Sequence, residues 1–60
     1  MATYRVIETI HSRRSIDGPA EIRLYKGSSK AEAIAAIASA IAQHDSYWYK
    51  LLSIRMEVEE

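Results

Sequence analysis

The sequence predicts an α+β domain: a two-layer ββαβ unit, with a three-stranded antiparallel sheet and one alanine-rich helix packed on one face. Three observations carry this reading. Ser28–His44, SSKAEAIAAIASAIAQH, repeats isoleucine at the helical period. Two stretches before it and one after it alternate apolar and polar residues, the period of a half-buried strand. Between the first two lies Asp17-Gly18-Pro19, the clearest turn signal in the chain.

The first strand is Thr3–His11, rich in β-branched and aromatic residues. Tyr4, Val6 and Ile10 fall on one side, and Arg5, Ile7 and Thr9 on the other. Glu8 lands on the apolar side, which points to a strand end, a bulge or an imperfect register. Ser12–Pro19 follows as a loop carrying Arg13 and Arg14. The second strand, Ala20–Lys26, alternates with Ala20, Ile22 and Leu24 inward and Glu21, Arg23 and Tyr25 outward.

The helix begins behind Gly27, where Ser29 and Glu32 form an S-x-x-E capping box. Ile34, Ile37 and Ile41, with Ala31, Ala38 and Ala42, are expected to face the sheet, and Glu32, Ala36, Ser39 and Gln43 to lie opposite. Its seven alanines favour helix and keep it thin enough for its backbone to approach a sheet closely. Those at 33, 36 and 40 also leave room for a second helix. The third strand, Tyr47–Glu59, has Leu52, Ile54, Met56 and Val58 inward and Ser53, Arg55, Glu57 and Glu59 outward.

A hairpin makes the first two strands antiparallel neighbours. The third then fits beside the first, giving sheet order 2-1-3; order 1-2-3, with the third strand parallel to the second, is the alternative. Either arrangement leaves one sheet face bare and two strand edges open.

Sixty residues form a single domain, 1–60, too short to bury much surface, and with no cysteine there is neither a disulfide nor a thiolate metal site to reinforce it. Oligomerisation is one way such a chain gains stability. Eight basic residues balance eight acidic ones, which argues against a general nucleic-acid binder. No apolar run has transmembrane length, so no membrane role is expected. MATYRVIETI lacks the features of a signal peptide, and a cytoplasmic location is expected.

Catalytic motifs are missing. His11 and His44 have no nucleophile at a recognisable spacing, and H-E-x-x-H, G-x-x-x-x-G-K-[ST] and G-x-G-x-x-G are absent. The chain is therefore expected to be no enzyme and to need no metal or cofactor. A phosphate at the helix start would rest on an ordinary serine cap alone.

The binding signals are aromatic and basic. Tyr47-Trp48-Tyr49 has the composition of a contact hot spot, although Trp48 reads first as a cap on the core, which makes Tyr47 and Tyr49 the better contact candidates. Alternation assigns Arg5, Ile7, Arg23, Tyr25, Tyr49, Leu51 and Arg55 to the bare face, with Tyr47 beside them and Arg13 and Arg14 at the loop tip. These are the candidate partner-binding residues. The function expected is protein interaction, including a homodimer through the bare face or an open edge. Nucleic-acid binding on the same face is the alternative, since tyrosines between arginines can stack bases and contact phosphates. A purely structural domain without a partner is a third reading.

The segment EIRLYKG–SSKAEAIAAIASAI and the β tail after it, residues 20–58, resemble the small orphan accessory proteins of actinobacterial phages. The resemblance implies a compact protein, cytosolic in the host cell, that binds and modulates a host or defence protein. That group has no shared functional motif, so it assigns no residue a role.

Overall fold

The computed structural model describes residues 1–12, 18–43 and 49–60. Among them the chain runs β1 (Thr3–Ser12), β2 (Ala20–Gly27), α1 (Lys30–Ala42) and β3 (Tyr49–Glu59). The sheet is antiparallel throughout, in the expected order β2-β1-β3, and α1 packs mainly on β1 and β2. Gly18, with φ of 86°, adopts the left-handed conformation that favours glycine. No described helix is long and apolar enough to cross a membrane.

Two bulges correct the simple alternation. In β2, Val6 pairs with Tyr25 but Ile7 pairs with Arg23, so Leu24 is the extra residue. In β3, Thr9 pairs with Ser53 but Ile10 pairs with Leu51, so Leu52 is extra. Directly paired residues share a face. Each extra residue therefore shifts part of its strand to the opposite side from the one predicted. Tyr25, Tyr49 and Leu51 lie on the helix side, not on the bare face. The rest of the pattern holds: Ile54, Met56 and Val58 stand opposite Glu8, Val6 and Tyr4 on the helix side.

The helix is also turned from its expected orientation. Ala33 is fully buried, and Ala36, Ile37 and Ala40 are half-buried, a stripe at i, i+3, i+4 and i+7. Of the predicted inward residues only Ile37 belongs to it; Ala31, Ile34, Ala38, Ile41 and Ala42 are exposed. A helix with alanine or isoleucine on nearly every side offers periodicity little basis for choosing a face. Closeness decides. The small residues 33, 36 and 40 admit the sheet, not a second helix.

What fixes the rotation is the helix start. Ser29 is the N-cap, and its Oγ accepts a hydrogen bond from the Glu32 amide at 3.2 Å. In an ordinary capping box the Glu32 carboxylate would in turn accept from the Ser29 amide. Here the Tyr25 hydroxyl stands between them. It accepts from the Ser29 amide at 3.1 Å and donates to the Glu32 carboxylate at 3.1 Å. A strand side chain thus completes the cap and ties α1 to β2. Gly27 makes room for it, because a Cβ there would lie 2.5 Å from the Tyr25 hydroxyl oxygen.

Candidate functional site

The open face of the sheet is charged, and Arg5 and Arg55 pair with its carboxylates. Strand register places Arg5, Ile7 and Thr9 of β1 between Glu21, Arg23 and Lys26 of β2 and Ser53, Arg55, Glu57 and Glu59 of β3. Arg5 binds Glu59 at 2.9 Å. Arg55 reaches across β1 to Glu21 at 2.9 Å and holds Glu57 on its own strand at 3.1 Å. Hydrogen bonding to Glu21, then to Glu57, raises the Arg55 pKa above the usual guanidinium value. The hydrogen bond from Arg5, followed by its charge, lowers the Glu59 carboxyl below its usual 4.5.

Of the predicted contact residues, Arg5, Ile7, Arg23 and Arg55 do share this face. Ile7 is half-buried, flanked in register by Arg23 and Arg55, so it offers little free apolar surface. Arg13, Arg14 and Tyr47 lie outside the described residues, as do Trp48 and His44. Every described tyrosine is on the helix side: Tyr4 opposite Val58, Tyr25 opposite Val6, and Tyr49 at the cleft described below. Among the described residues the open face thus has no aromatic platform on which a base could stack.

The helix side is different. Beneath the C-terminal half of α1 a cleft of about 560 Å³ opens between helix and sheet. The described residues lining it include Ile10, Ile22, Leu24, Ala36, Ala40 and Leu51, with Ser39, Gln43 and Tyr49 at polar positions. One described lining residue is charged, Glu8 of β1, held between Ile22 of β2 and Ile54 of β3. The register is regular at Glu8 itself, with the bulges on either side. Outside the cleft the helix exposes Ile34 and Ile41 to 52% and 54%, and Val58 of β3 is 54% exposed on the same side of the sheet.

Sequence reasoning missed Ile34, Ile41 and Val58 as surface residues because it counted them as core. A signal for the helix was present: after Glu32 no charged residue occurs before Asp45, so nothing marks a solvated side. No group of three or more metal-ligating side chains exists among the described residues. Comparison with known protein families, with curated proteins and with solved structures finds no match to this chain.

Proposed function

We propose that the chain is a non-enzymatic protein-interaction module that self-associates through its helix side. The observation that carries this reading is an exposed helix without a polar face. Residues 33–42 contain only Ala, Ile and Ser, and Ile34 and Ile41 remain more than half exposed. A helix apolar on all sides is normally buried on all sides.

Size points the same way. Val6 and Ala33 are the only fully buried apolar residues among those described, a slender core for any domain. The chain exposes 4451 Å², whereas a compact monomer of its mass exposes about 3950 Å². Its radius of gyration is 12.4 Å, against about 10.4 Å for a compact domain of this length.

The surface favoured is therefore Ile34, Ile41 and Val58 on the helix side, in place of the bare sheet face. A cytoplasmic host or defence protein as a further target rests on the phage resemblance alone. Sedimentation velocity over a concentration series tests the self-association. The wild type is expected to sediment as a dimer or larger species, and Ile34→Lys with Ile41→Lys to give a folded monomer. A wild type that stays monomeric throughout refutes the reading. Nucleic acid copurifying with the protein and released by salt would favour the alternative partner, since phosphate contacts weaken steeply with ionic strength.

A further inference from the structure

We infer that the cleft beneath the C-terminal half of α1 is a binding site for a small organic cation: a primary ammonium on an apolar body about the size of a phenyl ring. The inference is independent of self-association. It starts from Glu8, an anomaly in both sequence and structure.

Glu8 is a half-buried carboxylate in the middle of the central strand, on its apolar face and between two isoleucines, where an apolar residue is the ordinary choice. Surface chemistry does not account for it, because β1 has a polar face and Glu8 is not on it. The other acidic residues of the sheet show the contrast. Glu21, Glu57 and Glu59 all lie on the open face, and each is bound to an arginine. Among the described residues Glu8 has no ion pair and no hydrogen bond.

The cleft supplies what such a carboxylate lacks. Its walls are aliphatic, from Ile10, Ile22, Leu24 and Leu51, and suit an apolar body. Its volume of about 560 Å³ exceeds that of a single ring. An ammonium has three protons to donate and no acceptor. Glu8 carries a carboxylate, and Ser39 and Gln43 on α1, which line the same space, carry neutral oxygens. The partial dehydration of such a site strengthens the charge–charge contact above its value in water. Anions are disfavoured by Glu8, and a neutral ligand leaves the carboxylate uncompensated, so charge sets the selectivity.

The test uses the whole chain, labelled with nitrogen-15, and phenethylamine as probe. Millimolar amine is expected to shift the amides of Glu8, Ile10, Ala36, Ala40 and Leu51 in a saturable manner. Phenethyl alcohol is expected to bind at least about tenfold more weakly, the equivalent of about 1.4 kcal/mol, and phenylacetate not at all. Glu8→Gln keeps the shape of the side chain and should lose the preference for amine. Glu8→Leu adds the structural arm: it should abolish amine binding while raising Tm, by about 5 °C for a gain near 1 kcal/mol, because function and stability oppose each other at such a position. Equal shifts with the alcohol, retained amine preference in Glu8→Gln, or shifts confined to other residues would each overturn the inference. So would a lower Tm in Glu8→Leu, which would make Glu8 a structural residue.

Discussion

At its N-terminal end α1 is bound to the sheet by a serine cap, a strand tyrosine and a layer closed enough to bury Val6 and Ala33 completely. At its C-terminal end the same helix stands over an open cleft. The residues are similar at both ends, alanines with an occasional isoleucine. What differs is what faces them. Near the start, β1 presents Val6, which an alanine can approach closely; further along, it presents Glu8, which forms no ion pair with any described residue. One end serves to hold the layers together, and the other leaves a surface and a cavity for something else.

The strongest way to break this contrast is to remove the closed end. Val6→Ala deletes two methyl groups from the most buried side chain described, and losses of about 2 kcal/mol are typical of such truncations. Domains of this size have little stability in reserve. The variant is therefore expected to be largely unfolded at room temperature, in thermal or urea titrations followed by circular dichroism. A loss no larger than that of an exposed apolar residue would mean that the helix start is not the anchor.

A finer test concerns the tyrosine in the cap. Tyr25→Phe keeps the ring over Gly27 but removes the hydroxyl that joins the Ser29 amide to the Glu32 carboxylate. About 1 kcal/mol is expected from a hydrogen-bonded group of this kind, and about the same from Ser29→Ala, which removes the cap oxygen. Because both act on one network, the double variant should lose less than the sum. Simple additivity in denaturant titrations would show that the strand tyrosine and the cap act separately.

The fold was legible in the sequence to the extent that period alone could fix it. Two strands, a helix and a strand follow from alternation and the S-x-x-E cap, and the order β2-β1-β3 follows from connection rules. The faces were less legible, for two physical reasons. A bulge adds one residue to a period of two, so Leu24 and Leu52 each displace the alternation and carry Tyr25, Tyr49 and Leu51 to the helix side. Neither bulge has a glycine to mark it. In the helix, apolar residues on every side left the orientation to a tertiary contact, the Tyr25 hydroxyl, twenty-one residues after Tyr4 and seven before Glu32. Arg5 and Ile7 were placed correctly because β1 contains no extra residue, and Arg23 and Arg55 because they lie on the far sides of Leu24 and Leu52 from the residues that were displaced.

The smallest effect expected distinguishes the two sheet faces by pH. Glu59 has its pKa lowered by Arg5, so it binds protons less readily folded than unfolded. Its contribution to stability is present above the usual carboxyl value of 4.5 and is lost as pH falls through the lower folded value. The raised pKa of Arg55 has the opposite sign: its contribution is complete below the usual guanidinium value and would be lost only at still higher pH, so it adds nothing to acid sensitivity. Arg5→Gln should therefore flatten the fall of Tm below pH 4.5. The flattening should be modest, because the pair is exposed and screened by salt, and it should shrink further in 1 M sodium chloride, where the screening length is about 3 Å. An acid profile unchanged by Arg5→Gln would mean that this latch does not contribute to stability, leaving the open face to be explained by solubility alone.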